Sequence, residues 1–222
     1  MKFRHEWKHQ IDQMDLHMIR QSLRAVARAD EHAQDGKYLI RSLYFDDLYD
    51  KALREKVDGV DKREKFRIRF YNLDPSVVHL EQKSKIADLT SKASAPLTAE
   101  EAARIVEGDL SWMADADRPL VKELHRSMLR GLRPKVIVDY EREPFVYGPG
   151  NVRVTFDYHI RTGLKCVDLL DPRCVTVPVP DDPIILEVKW DEFLPSIIRD
   201  AVQVKNRHQT AFSKYAACRM YD

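Results

Sequence analysis

Residues Arg63–Phe70 read REKFRIRF. In extended backbone Lys65, Arg67 and Arg69 share one face, and Phe66, Ile68 and Phe70 share the other. The apolar side belongs against a core, so the constraint lies in what meets the cations. The same pattern recurs along the chain. Glu81, Lys83 and Lys85 share a face in VHLEQKSKI, as do Glu187 and Lys189 in ILEVKW. Arg4, Glu6 and Lys8 alternate with Phe3, His5 and Trp7, and Arg153, Thr155 and Asp157 oppose Val152, Val154 and Phe156. A sheet with one wet face accounts for each strand taken singly. Repetition, with long cations and carboxylates two residues apart, points instead to a curved sheet whose charges converge on a lumen. Arg and Lys bind phosphoryl oxygens, and carboxylates hold a hard divalent ion that bridges them. Such a lumen suits a polyanion and its metal.

The remaining pattern predicts the frame around these strands. Leu16, Ile19, Leu23 and Val26 recur at helical spacing after Asp12. Tyr38–Phe45 reads as a strand, 50–62 as a charged loop, and a turn at Asn72–Pro75 joins the opening stretch to Val77–Ile86 as a hairpin. Thr98 with Glu101 forms a capping box for a helix that Gly108 ends, and Pro119 and Gly131 bracket a second one. Strands follow at Lys135–Glu143, Asn151–Ile160 and Pro183–Trp190, then a short helix after Pro195 and a last helical turn in the tail. Hairpin-linked strands with helices at the N-terminus, middle and C-terminus predict an α+β fold with an antiparallel sheet closed into a barrel or tunnel. Arg142 shares parity with Val136, Val138 and Tyr140, so reaching the charged face requires its strand to bulge.

Composition narrows the function classes. The 222 residues fit one domain over 1–222, and 44% hydrophobic content allows a real core. Basic and acidic residues nearly cancel, 37 against 36, so nothing draws the whole chain to nucleic acid or membrane. Cys166, Cys174 and Cys218 form no CxxC and read as apolar filler. The first residues lack an apolar signal segment and no run reaches transmembrane length, so a cytoplasmic protein is expected, with a separate membrane partner left open.

Eight pieces in order carry a family likeness: HEWK (His5–Lys8), YFDD (Tyr44–Asp47), EKFRIRFY (Glu64–Tyr71), LEQKSK (Leu80–Lys85), YEREPF (Tyr140–Phe145), VRVTFD (Val152–Asp157), LEVKW (Leu186–Trp190) and FSKY (Phe212–Tyr215). Together they resemble the VTC domain of polyphosphate polymerases, a branch of the CYTH-like triphosphate tunnel metalloenzymes. The resemblance implies a basic β-tunnel that binds ATP and inorganic polyphosphate with Mn²⁺ or Mg²⁺ and transfers the terminal phosphoryl group onto the growing chain. Carried over by position, it implies that Arg67, Arg69, Arg142 and Lys83 act in catalysis. Lys8, Lys65, Lys85, Arg153, Lys189 and Lys214 bind phosphate, with Lys65 at the tunnel mouth, and Glu187 holds the metal with Glu6 and Glu81 as neighbours. Two departures stand out. Ala211 occupies a place where the family offers a second Lys, and Arg4 replaces the first Glu of the superfamily's ExExK start. A triphosphate hydrolase and a non-catalytic polyphosphate-binding module remain alternatives. His5 and His159 are expected to be structural or on the surface. Asp46 and Asp47 are expected to end a strand, and Trp190, Tyr140 and Phe156 to pack rather than stack on a base.

Overall fold

A computed structural model describes residues 4–31, 33, 35–86, 89–204 and 208–220. Along the chain run β1 (His5–Ile11), α1 (Gln13–Val26), β2 (Arg28–Ala29), β3 (Tyr38–Asp46), α2 (Lys51–Val57), β4 (Lys62–Tyr71), β5 (Asp74–Ile86) and β6 (Leu89–Leu97). Then come α3 (Ala99–Glu107), α4 (Pro119–Leu129), β7 (Arg133–Tyr147), β8 (Val152–Thr162), β9 (Val177–Pro178), β10 (Ile184–Trp190), α5 (Ser196–Ala201) and α6 (Lys214–Cys218). The main strands pair antiparallel in the order β1-β10-β8-β7-β3-β4-β5-β6. The two edges of this sheet meet where Arg4, just before β1, bridges Thr90 of β6. Farther along β1, the C-terminal segment takes over. His9 bridges Gln209, and the Thr210 N–H donates to the Lys8 carbonyl at 2.8 Å. The sheet therefore curls into a tunnel whose seam is held by these contacts, which also limit its exposed edges.

Three apolar clusters hold it. Phe66, Ile68, Phe70 and Leu80 face outward and pack under Ile105 of α3 and Val121, Leu124 and Met128 of α4. On the opposite outer wall Val154, Phe156, Leu186 and Val188 meet Leu16, Ile19 and Leu23 of α1 and Ile198 of α5. The third cluster lies on the inner face. Ile40, Val136, Val138, Tyr140, Ile160 and Ile185 enclose Tyr215 and Cys218 of α6. The helices start where the sequence signals them: Asp12 with Asp15, and Thr98 with Glu101, form reciprocal capping boxes. No helix among the described residues is long and apolar enough to cross a membrane.

Four local expectations need correction. Residues 51–57 are helical rather than loop. None of their side chains is buried, so no apolar stripe advertised the helix; the Asp46 carboxylate nucleates it by accepting from the Ala52 and Leu53 amides at 2.8 and 3.1 Å. β6 was not foreseen because LTSKASAPL carries small residues of weak strand propensity. The β4–β5 turn is only Asn72–Leu73, both at positive φ (51° and 55°), so β5 starts at Asp74 rather than Val77. The bulge foreseen in β7 falls on β8 instead. Val136, Val138 and Tyr140 already face inward as part of the third cluster, so Arg142 needs no change of parity. The register shift lies opposite, where Asp139 pairs with Arg161 and Glu141 with Tyr158, and His159 there takes φ +50°. The first strand runs His5–Ile11; Phe3, expected in it, lies outside the described residues.

The two faces of REKFRIRF should differ sharply in their effect on stability. Ile68→Ala on the outward face is expected to cost about 2–5 kcal/mol in urea unfolding, while Arg63→Ala, on the other face at the start of β4, should stay within about 0.5 kcal/mol. Equal midpoint shifts for the two variants would show that the outward face is not the packed one.

Candidate functional site

The inward face gathers charge in three groups. In the first, Glu81 accepts from Arg67 Nε at 2.7 Å and Nη2 at 2.6 Å, and Lys92 Nζ lies 2.5 Å from its other oxygen. Arg67 Nη1 also donates to the Tyr44 hydroxyl at 2.8 Å. Arg69 stands 3.8 Å from Glu81 and is fixed by Ser42 Oγ at 3.0 Å and the Tyr140 hydroxyl at 2.9 Å. In the second group, fully buried Asp157 accepts from Arg142 Nε and Nη2 at 2.6 and 2.7 Å and from Lys214 at 2.5 Å. Cations surround the Tyr140 ring, with Lys214 4.6 Å, Arg142 5.5 Å and Arg69 5.9 Å from its centroid. The third group joins β1 to β10. Lys8 lies 2.6 Å from Glu6 and 3.3 Å from Glu187; Lys189 pairs with both carboxylates; Lys83 reaches Glu6 at 3.5 Å.

The expected cations thus converge with differing closeness. Arg67, Arg69, Arg142, Lys214, Lys8, Lys83 and Lys189 line the enclosed part. Lys65 is half-buried over the Tyr44 ring, 5.4 Å from its centroid. Lys85 is half-buried at the same end of the hairpin and repels Lys56 of α2. Arg153 lies toward the rim, held by Asp30 at 2.9 Å and the Tyr38 hydroxyl at 2.5 Å. Thr155, opposite Glu187 in the β8–β10 register, is buried, and its hydroxyl finds no hydrogen-bond partner among the described residues. Ala211 is exposed in the stretch before α6, well short of replacing a lumenal cation.

Other residues take the plainer roles expected of them. Asp46 spends its oxygens on the α2 amides and the Tyr215 hydroxyl, and Asp47 caps the same turn through the Tyr49 and Lys51 amides. His5 stacks on Trp190, and His159 pairs with Glu141 at the surface. Trp190 and Phe156 belong to the outer core. Reading the sequence by strand faces missed Lys92, Tyr44 and Tyr140. Thr90, Lys92 and Ser94 do alternate against Ala93, Ala95 and Leu97, a signal too faint without the strand itself. The tyrosines lay inside matching motifs but look like core residues, and only their hydroxyl contacts give them a role.

Proton affinities follow from this crowding. Burial works against the charged carboxylate of Glu6 and so does Glu187, but Lys8, Lys83 and Lys189 outweigh both and hold its pKa at about 2. Asp157 is likewise held at about 2 despite burial, by Arg142 and Lys214. Burial lowers Lys65 to about 8, with Arg67 and Lys8 adding repulsion against the attraction of Tyr44. Burial and the nearby Lys8 lower Lys83 to about 7. Burial would raise Tyr44, yet Arg67, Lys65 and Arg69 pull it down to about 7.

Among the described residues no three of His, Cys, Asp and Glu converge as an all-protein metal cage. Glu6 and Glu187 do converge, sharing Lys8 and Lys189, whereas Glu81 keeps to Arg67, Arg69 and Lys92. Two carboxylates beside a cluster of cations fit the oxygen-ligand chemistry of Mg²⁺ or Mn²⁺.

The lowered pKa values of Lys65 and Tyr44 set a sign for stability. Their ordinary values are 10.5 and 10.0, so above about pH 7 the unfolded chain binds more protons than the folded one, and stability rises with pH. Urea midpoints are expected to climb from about pH 7 to about pH 8.5, and the slope should flatten in Lys65→Met combined with Tyr44→Phe. A wild-type slope no steeper than that of the double variant would refute the assignment.

Comparison with known proteins agrees with this geometry. No curated protein matches the chain. Among solved structures, a Bacillus halodurans protein with a provisional assignment as an adenylate cyclase superposes with a TM-score of 0.53 at 14% identity, over 85% of this chain and 80% of its own. The PH1012 protein of Pyrococcus horikoshii gives a TM-score of 0.50 at 13% identity, over 95% of this chain and 96% of its own. Identities this low show a shared fold. The family profile of the VTC domain matches residues 3–221, and the chain, with its curled antiparallel sheet and flanking helices, belongs to the VTC domain family.

Proposed function

We propose that the protein is a polyphosphate polymerase that transfers the terminal phosphoryl group of ATP to the end of a growing inorganic polyphosphate chain. The observation that carries this reading is the lumen. Among the described residues, Lys8, Lys65, Arg67, Arg69, Lys83, Lys92, Arg142, Lys189 and Lys214 gather around Glu6, Glu81, Asp157 and Glu187. That excess of positive charge, enclosed in a sheet, matches a chain of phosphates better than a single small anion. The family match supports the same class of chemistry. On the same reading the protein works in the cytoplasm, with a separate membrane partner handling the product where transport is needed.

The reaction needs positioning and charge neutralisation more than proton transfer. The acceptor is a terminal phosphate, already an anion, so no strong general base is required. Arg67 and Arg142 offer planar forks to phosphoryl oxygens and offset charge developing on the transferred group. Tyr44, Ser42 and Tyr140 hold the guanidinium groups of Arg67 and Arg69 in place, so little reorganisation accompanies reaction. Lys8 and Lys214 add charge from opposite elements of the wall. Glu187 with Glu6 would hold a Mn²⁺ or Mg²⁺ ion, which would supply Lewis-acid neutralisation of phosphoryl charge.

Incubation of the purified protein with ATP and Mn²⁺ or Mg²⁺, with products resolved by length, tests the reading. Phosphate chains that lengthen with time are expected. Free phosphate or pyrophosphate without chains would assign the tunnel to hydrolysis, and tight polyphosphate binding without turnover would leave a binding module. Paired variants address the residues. Arg67→Ala with Arg69→Ala should weaken polyphosphate binding by about 100-fold or more, as removal of several charge-assisted hydrogen bonds implies. Glu187→Gln should lower metal-dependent turnover by at least about 10-fold, and unchanged turnover would remove Glu187 from the metal site.

A further inference from the structure

Outside the tunnel, one pair of side chains has chemistry that the proposed reaction does not use. Residues 163–176, between β8 and β9, contain no helix or strand, yet part of the segment packs on the outer core. Leu169 is buried in the outer core, with Cys166, Val167, Leu170 and Cys174 packed against it. Two turns set the cysteines. The Cys166 N–H donates to the Gly163 carbonyl at 2.9 Å, and the Cys174 N–H donates to the Asp171 carbonyl at 3.2 Å. Gly163 fixes the first turn against β7, since a Cβ there would sit 2.9 Å from Ile137 Cβ. The second turn is docked by Arg41, which donates to the Asp171 carbonyl at 2.9 Å while its Nη2 pairs with buried Asp139 at 2.8 Å.

These turns bring the two sulfurs to 3.0 Å, with the Cys174 thiol donating toward Cys166. The separation is about 1 Å longer than a disulfide bond, and both residues keep partial access to solvent. Cys218 is buried on the inner face, in a different cluster, and does not share this access.

We propose that Cys166 and Cys174 are a modification site that closes to a reversible intrachain disulfide on exposure to a small-molecule disulfide oxidant. The Cys166 sulfur, as thiolate, attacks one sulfur of the oxidant RSSR. The oxidant's S–S bond breaks, RS⁻ leaves, and a mixed disulfide forms on Cys166. The Cys174 thiol then loses its proton to solvent or RS⁻ and attacks the Cys166 sulfur, expelling the second RS⁻. Two protein thiols are oxidised and one RSSR is reduced to two RSH. Burial and the Cys166 sulfur push the Cys174 thiol up to about 12 in the reduced pair, keeping it protonated. A mixed disulfide on Cys166 would remove that sulfur's part of the rise, and the 3.0 Å separation places the Cys174 sulfur for the second attack. The bond would staple the segment over the Arg41–Asp139 pair without touching a lumenal group.

The test uses the full chain and no activity assay, so its outcome is independent of the proposed reaction. Protein treated with oxidised glutathione is denatured, its remaining thiols are alkylated, and its peptides are mapped by mass spectrometry. A peptide linking Cys166 to Cys174, loss of both alkylatable thiols, retention of Cys218 and full reversal by dithiothreitol are expected. Cys174→Ser should instead accumulate a glutathione adduct on Cys166. Free thiols at both positions in the wild type, a lasting glutathione adduct without the crosslink, or a link through Cys218 would each overturn the proposal.

Discussion

Like charges crowded into a partly dry lumen are the constraint under which the rest of this structure is arranged. Removing an ionised group from water costs several kcal/mol unless partners replace the lost hydration. Each lumenal carboxylate here serves more than one cation. Glu81 meets Arg67, Arg69 and Lys92; Asp157 meets Arg142 and Lys214; Glu187 meets Lys8 and Lys189. The carboxylates supply part of the charge compensation that phosphate oxygens would supply under the proposed function. They do not finish the task, and the shortfall shows in the lysines. Lys65 and Lys83 lie low enough to shed protons near neutrality, so part of the excess charge can be relieved without a ligand.

The inner apolar cluster and the tyrosines make that arrangement rigid. Tyr215 of α6 stacks on Tyr44 with centroids 5.3 Å apart, and its hydroxyl donates to Asp46 at 2.5 Å. Asp46 also anchors the first turn of α2. One buried carboxylate therefore ties together the end of β3, α2 and α6. Lys214, the first residue of α6, is delivered to Asp157 by the helix that Tyr215 anchors. Tyr44 in turn fixes Arg67 by its hydroxyl. Aromatic rings thus carry order from the apolar end of the lumen to its charged part.

These dependencies explain what could be read in the sequence and what could not. Period-2 alternation gave the facing of Phe66, Ile68 and Phe70 against Arg67 and Arg69, because burial on one side enforces it. The capping box at Thr98 placed a helix start for a local reason visible in four residues, whereas the one at Asp12 with Asp15 came only from the structure. α2 was hidden since its stabilising contacts come from Asp46 and from α6, not from its own pattern. The role of Arg142 was misread in its route: apolar Val136 and Val138 looked outward-facing because a lumen lined partly by oil has no sequence signature distinct from an outer core. The grouping of carboxylates was also out of reach. Glu6, Glu81 and Glu187 are alike by parity, but cross-strand register sends Glu6 and Glu187 to shared lysines and Glu81 to arginines.

Register also bears on why a polymer, rather than one phosphate, suits the proposed function. Lys8 faces Glu187 and Glu6 faces Lys189 across β1 and β10, so charge there alternates within one patch. Arg67 faces Glu81 across β4 and β5, and Arg142 faces Asp157 across β7 and β8. Each patch is partly neutralised by its own carboxylate, so no single point in the lumen concentrates the whole excess. A lone phosphate could displace the carboxylate of one patch and would gain only what that carboxylate already provided. A linear chain of phosphates can reach several patches at once, adding its contacts without paying the loss of free motion separately for each. Distributed, partially compensated cation sites therefore favour length, which is the property a tunnel that extends a polyanion has to recognise.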